Sequence, residues 1–284
     1  MTKPVLPFVE TMITQACNLS CHGCTNYSDI NHRGYVSWNE GKAQIESWLK
    51  RIAIPDFGIM GGEPLINPQV REWIVGVREL MPDAQIRFTT NGILLEKNLD
   101  IVELLHSIGN CVFKITVHQN DKDLEEIIQY IHSKYNWETI TEYGITRFKT
   151  DRDFRFHVKR PEIFYKTYQG VYSNMSPHDN DPVEAFGACI QQSCPLLYKG
   201  DLYKCSTSGL LKETLDKFHN PNYNMWEQFV LPGLSPTCTD LELQNFLDNF
   251  NKPNKICRMC PTNKDTHSIL KHYDFIKTKK FKYD

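Results

Sequence analysis

Residues 16–29 read ACNLSCHGCTNYSD and place three cysteines, Cys17, Cys21 and Cys24, within eight positions. The spacing is C-x3-C-x2-C, a single triplet, whereas a structural zinc site closes on four ligands that usually come as two pairs. Soft thiolates select zinc, copper(I) or iron–sulfur. Three thiolates with no fourth nearby match the needs of a [4Fe–4S] cluster whose remaining iron stays open for another ligand. His22 would complete a zinc site only in a cramped loop, because it lies between two of the cysteines.

Outward from the triplet, the first 160 or so residues alternate strand and helix patterns. The stretch 8–14 reads as a short strand that delivers the chain into the cysteine loop. A helix follows over 37–52, with apolar residues at helical spacing and Ser37 and Glu40 placed as a capping box. Further strands are expected at 57–60, 85–90 and 111–117, and helices at 68–80, about 96–107 and 123–135. Strands alternating with helices of this length argue for a parallel sheet built of βα units. Stretches 145–150 and 154–160 are strand-like, whereas 161–188 is aromatic, polar and irregular. The pattern of 194–205 is a hairpin, and 240–250 reads as an amphipathic helix before Cys257 and Cys260. The lysine-rich end reads as a solvated tail.

The bulk properties narrow the setting. A chain of 284 residues, 40% hydrophobic and 23% charged, buries a core without staples. Its net charge of −2 gives no nucleic-acid footprint. No apolar run reaches the roughly 18 residues that span a bilayer, and residues 1–15 lack the pattern of a signal peptide. The expectation is a cytoplasmic protein that engages neither membrane nor nucleic acid. In that reducing compartment the ten cysteines serve metal or redox chemistry before disulfides. Three sit at 17–24, one at 111 and six between 189 and 260, which suggests two metal-bearing regions.

Two further segments follow the triplet in order: GGEP at 61–64, after the second strand, and TTNG at 89–92, after the third. Together the three segments resemble the radical S-adenosylmethionine (SAM) superfamily. The resemblance implies that Cys17, Cys21 and Cys24 hold a [4Fe–4S] cluster, and that the amino and carboxylate groups of SAM chelate its open iron. It further implies that Gly61, Gly62, Glu63 and Pro64 receive the SAM amino group. The glycines would offer close backbone approach, Glu63 the acceptor and Pro64 a rigid exit. Asn91 and Thr116 would contact the carboxylate or ribose. The implied chemistry is reductive cleavage of SAM to a 5′-deoxyadenosyl radical that abstracts a hydrogen atom from substrate, with an electron donor such as flavodoxin or ferredoxin as partner. The implied fold is α/β, a partial (β/α)6 TIM-like barrel with its site at the C-terminal ends of the strands. Family members usually carry an aromatic residue just before the third cysteine; here that residue is Gly23.

Cys189, Gly200 and Cys205, followed by the pair Cys257 and Cys260, resemble the twitch domain, the shortened form of the SPASM extension, which carries one auxiliary [4Fe–4S] cluster. Cys194 competes with Cys189 for the first ligand position. Cys194 is favoured because it begins the hairpin that ends at Cys205, which leaves Cys189 as the alternative. A zinc ribbon built on the same cysteines is the structural alternative. Cys111 and Cys238 read as ordinary buried thiols. The expected division is a radical SAM core over 1–185 and a small hairpin-plus-helix cluster domain with its tail over 186–284.

Enzymes of this layout act on small polar metabolites, such as sugars and aminocyclitols, or on peptides. A first strand near residue 8 leaves no room for an N-terminal peptide-recognition domain, which favours the small-molecule reading. The alternatives are a peptide-modifying maturase and a non-catalytic zinc protein. Candidate substrate-facing residues are His118, beyond the fourth strand, Arg155 and His157, which share a strand face with Lys159, and Asp179 in a polar loop with His178 and Asp181. Each has a plain alternative as a capping residue, a wet edge-strand face or a solvated linker.

Overall fold

Along each central strand an apolar row alternates with a polar one, and the apolar rows all turn to the same side of the sheet. The strands are seen in a computed structural model that describes residues 3–263 except 22, 29–32, 119–120, 136–137, 143–144, 150–152, 162–164 and 171. His22 and the lysine-rich tail lie outside the described residues. Nine strands form one sheet: β1 (Val9–Met12), β2 (Asp56–Met60), β3 (Gln85–Thr90), β4 (Cys111–Thr116), β5 (Glu138–Glu142), β6 (Ile145–Lys149), β7 (Phe154–Lys159), β8 (Leu196–Tyr198) and β9 (Asp201–Tyr203). Their order is β5-β6-β7-β4-β3-β2-β1-β8-β9. The run from β7 through β4, β3, β2 and β1 to β8 is parallel throughout and gives the six strands of a partial barrel. Antiparallel β6 and β9 flank this run, and the sheet stays open between its edges β5 and β9.

Helices α1 (Trp38–Leu49), α2 (Val70–Leu80), α3 (Asp100–Ile108) and α4 (Lys122–Tyr135) connect the parallel strands. The core lies between them and the sheet. Phe57, Phe88, Phe113 and Phe156 on the strands meet Trp48, Trp73, Ile101 and Ile128 on the helices. Phe88, Phe113 and Phe156 stack across β3, β4 and β7, with centroids 6.1 and 5.4 Å apart. Each such pair adds about 0.5–1.5 kcal/mol beyond its buried area. The opposite face of the sheet carries Glu10, Arg87, Thr89, Lys114, Thr116, His157 and Lys159 and forms the barrel's inner wall.

The second half holds α5 (Pro182–Ala188), α6 (Ser206–Phe218), α7 (Tyr223–Trp226) and α8 (Asp240–Asn249); α6 and α7 build a smaller core centred on Leu211, Leu215, Trp226 and Phe229, whereas α8 packs Leu243 on the main one. The hairpin expected over 194–205 forms as β8 and β9, and β8 joins the sheet beside β1. The stretch 161–188 is less irregular than its composition suggests. Asp181 accepts the N–H groups of Val183 and Glu184 (2.9 and 3.0 Å), and Pro182 starts α5, an N-terminal signal that the aromatic surroundings mask. Among the described residues no helix is long and apolar enough to cross a membrane.

Candidate active site

Beyond β1 the chain is sewn to the end of β2. Gly62 N–H donates to Thr14 O and Glu63 N–H to Ala16 O, each at 2.8 Å. A Cβ at Gly61 would stand 2.5 Å from Thr14 O, and one at Gly62 2.3 Å from Ala16 O, so only glycine admits this approach. The loop that follows turns tightly, with Cys24 N–H on Cys21 O (3.2 Å) and Tyr27 N–H on Cys24 O (3.0 Å). The Cys17 thiol receives Leu19 N–H at 3.4 Å and the Asn91 amide at 3.7 Å. Donors aimed at a sulfur favour its thiolate form.

Glu63 is fully buried, and its carboxyl faces the protein, where it accepts from Thr90 Oγ1 (2.6 Å), Asn91 N–H (2.8 Å) and Leu65 N–H (3.0 Å). Burial pushes its pKa up to about 7 against the pull of these donors. The GGEP and TTNG segments are thus stapled together by this side chain. Pro64, also buried, opens a 3-10 turn over Pro64–Ile66.

A cleft of about 230 Å³ opens at the C-terminal ends of the parallel strands. It is lined by Cys17, Cys21 and Cys24 and by Gly61, Gly62, Asn91, Thr116 and His118 from the strand ends. It also takes in Lys159, named from sequence on the strand face of Arg155 and His157, and two residues that sequence reasoning did not single out, Asn26 and Tyr165. Two buried amide atoms here lack a partner, Asn26 Oδ1 in the wall and Asn18 Nδ2 beside Cys17. Unsatisfied buried groups of this kind call for a polar ligand or water. Three soft thiols, an open cleft and orphaned amides fit an iron–sulfur cluster with a polar co-ligand. Gly23 has φ +75° and would bring a Cβ to 3.2 Å from Lys166, so backbone conformation and packing both disfavour the usual aromatic residue there. Tyr165 puts an aromatic ring in the wall of the same cleft.

The remaining candidates scatter. His118 reaches the cleft, and burial with the fields of Lys159 and Lys114 lowers its pKa to about 4. His157 lies deeper on the inner wall, lowered to about 4 by burial and by Arg147, Arg155, Lys114 and Arg87. Arg155 is exposed below it. Asp179 stands away from the cleft and pairs with Arg258 at 2.6 Å, between two cysteines of the second set.

All ten cysteines are free thiols. Of the second set, the Cys260 thiol lies in the fields of Cys205, Cys189 and Cys257, and burial holds it well above its usual range. Cys205 senses Cys189 and Cys257, and Cys189 senses Cys257. Cys194 also lies in the fields of Cys189 and Cys205, after burial and Glu10, and its thiol is pushed up to about 12. Cys205 sits at the N-terminus of α6, where burial, with Cys189 and Cys257, raises its thiol against the hydrogen bonds from Ser208. Gln191 Nε2 donates to Thr25 Oγ1 (3.2 Å) and to Ser206 Oγ (3.0 Å), which ties the triplet loop to the second set. Cys111 is buried in β4, and Cys238 is half-buried beside Arg51.

The family profile of the radical SAM superfamily matches residues 11–150. Residues 11–150 belong to the radical SAM superfamily. A probable GTP 3′,8-cyclase from Archaeoglobus fulgidus is 31% identical over 135 residues, 48% of this chain and 40% of that protein. A GTP 3′,8-cyclase from Microcystis aeruginosa is 24% identical over 139 residues, 47% of this chain and 41% of that protein. The matched region therefore spans about 40% of the length of these relatives. Among solved structures, BtrN in complex with AdoMet and 2-DOIA aligns over 98% of this chain and 100% of its own, with a TM-score of 0.51 and 16% identity. That likeness is one of fold. The matched residues take in the end of β1 and the parallel strands β2, β3 and β4, with the triplet, GGEP and TTNG at successive strand ends.

Proposed function

We propose that this chain is a radical SAM enzyme that removes a hydrogen atom from a small polar metabolite, such as a sugar or aminocyclitol, leading to its oxidation or rearrangement. The observation that carries the reading is convergence: three thiols, two close-packed glycines and the ends of β3 and β4 meet in one cleft. Cys17, Cys21 and Cys24 would hold a [4Fe–4S] cluster, with Gly61 and Gly62 presenting backbone to the SAM amino group. Asn91 and Thr116 would meet its carboxylate or ribose. Bound together, the cluster and SAM supply one-electron chemistry that ends in hydrogen abstraction. Glu63 orders this site from behind, holding GGEP against TTNG. Tyr165 and Ile190 would shield the cleft from water.

Cys189, Cys205, Cys257 and Cys260 form the set we assign to an auxiliary [4Fe–4S] cluster of twitch type, with Cys189 taking the place for which sequence spacing favours Cys194. In functional terms residues 1–185 would serve the SAM cluster and 186–284 the auxiliary one. The size of the cleft, and relatives named for a reaction of GTP, support a small-molecule substrate. The reductant would be a cytoplasmic flavodoxin or ferredoxin.

Anaerobic iron and sulfide analysis, paired with a dithionite-driven assay for 5′-deoxyadenosine, tests the proposal. About eight irons per chain and 5′-deoxyadenosine from SAM are expected, with the product falling to background in Cys17→Ala. Zinc in place of iron, with no cleavage after reconstitution, overturns it.

A further inference from the structure

Among the described residues, the inner wall of the barrel carries two cations that form no ion pair. β4 and β7 run parallel with Lys114 opposite His157 and Thr116 opposite Lys159. Lys159 lines the cleft, and Lys114 stands one side-chain layer deeper on the same face as Thr116. Both are half-buried, and neither ammonium has a hydrogen bond or ion pair among the described residues. Other cations nearby have their own acids: Arg87 binds Asp56 at 2.7 and 2.9 Å, and Arg160 binds Glu125 at 2.6 and 2.7 Å.

Glu10, whose field reaches Lys114, gives little compensation. Its carboxyl is buried with Oε1 unpartnered, and burial pushes its pKa up to about 8, so it is mostly uncharged at neutral pH. Lys159 and Lys114 instead act on each other, and both add to the fields that keep His118 neutral. An edge-strand face that was merely wet would leave its lysines fully in water. Here β7 is flanked on one side by β4 and on the other by β6, and Lys159 borders the cleft with Lys114 a layer below it. Half-buried like charges without a counter-ion are costly, and an anionic ligand relieves that cost.

We infer that Lys114 and Lys159 bind an anionic group of the substrate, a phosphate or a carboxylate. The inference rests on the radical SAM reading in one respect: there SAM occupies the side of the cleft formed by the cysteine loop, β2, β3 and Thr116 at the end of β4, and the substrate the side toward Lys159 on β7 with Lys114 beneath it. Two ammonium groups on adjacent parallel strands give charge-assisted hydrogen bonds to separate oxygens of one anion. The uncharged imidazole of His118 offers a further polar contact beside them.

Calorimetry on the reconstituted full chain tests this. Inorganic phosphate and, separately, acetate are titrated at constant ionic strength with SAM present. Saturable binding of at least one anion is expected, and the one that binds identifies the class. Lys114→Met and Lys159→Gln should each weaken it roughly ten- to a hundredfold, with SAM affinity retained. Lys159 ends its strand, so its substitution leaves the core untouched. No saturable binding of either anion, variants that bind as the parent does, or competition between the anion and SAM would overturn the assignment. The 5′-deoxyadenosine assay separates the two proposals. Anion binding without SAM cleavage keeps the lysine site and removes the radical reading; cleavage without anion binding does the reverse.

Discussion

The two cysteine regions share a turn and differ in everything that surrounds it. Each contains C-x2-C closed by a backbone bond, Cys24 N–H to Cys21 O at 3.2 Å and Cys260 N–H to Cys257 O at 3.0 Å. In the first region the third thiol, Cys17, comes from the same loop, and the loop is anchored by backbone bonds to the glycines after β2. In the second, the thiols come from the end of α5, the start of α6 and the 3-10 turn over Lys255–Met259. Side chains hold those segments together. Asn180 Nδ2 binds Cys260 O at 3.0 Å, Arg258 binds Asp179, and Gln191 reaches both Thr25 and Ser206. A site supplied by one loop is recorded in its spacing, whereas one gathered from three segments depends on how they pack.

The largest expected effect tests the second region. Cys189→Ala should lose about half of the roughly eight irons, while Cys194→Ala keeps them and retains the spectrum of the parent. Iron analysis with electron paramagnetic resonance checks this, and the opposite pattern would return the ligand role to Cys194.

A second effect concerns β1, which lies between the two regions and carries Glu10. Burial raises the folded-state pKa of Glu10 to about 8, with Lys114 opposing, from an ordinary value of 4.5. A raised carboxyl stabilises the fold fully below its unfolded pKa, and that contribution is lost as the pH climbs through the folded value. Glu10→Gln imitates the protonated form. Its stability advantage over the parent should therefore widen between pH 6 and pH 9 by on the order of 3 kcal/mol, measured by urea denaturation at both pH values. A gap independent of pH would show that Glu10 is ionised in the folded chain.

The smallest effect belongs to the first region. Gly62→Ala forces a methyl group against Ala16 O and should cost roughly 1–3 kcal/mol of stability, with weaker SAM binding read by equilibrium dialysis. Unchanged SAM binding would mean that the cysteine loop tolerates a shift of the β2 end.

Much of the first site was legible because its parts are local. A strand, a cysteine loop and a glycine pair each announce themselves within a few residues, and period-2 alternation separates core Phe113 from inner-wall Lys114. Lys114 carries a signal as plain as that of His157, but its place beside Lys159 follows only from the pairing of β4 with β7 across an intervening helix and hairpin. Glu63 shows the limit differently. Its motif marks the position, yet whether its carboxyl faces the cleft or Thr90 depends on the path of β3. The preference for Cys194 came from its place at the start of the hairpin. Parallel pairing of β8 with β1 puts that thiol in the field of Glu10 as well as in those of Cys189 and Cys205.

By itself the sequence determined the βα alternation, the three-thiol loop and the glycines that let the β2 end approach it, since these depend on side-chain period, spacing and the lack of a Cβ. Tertiary structure alone decided that the later cysteines act on one another, where Glu63 points and that Lys114 and Lys159 lie on neighbouring strands. Those facts are distances between segments remote along the chain, set by strand order and core packing, and no local pattern encodes them.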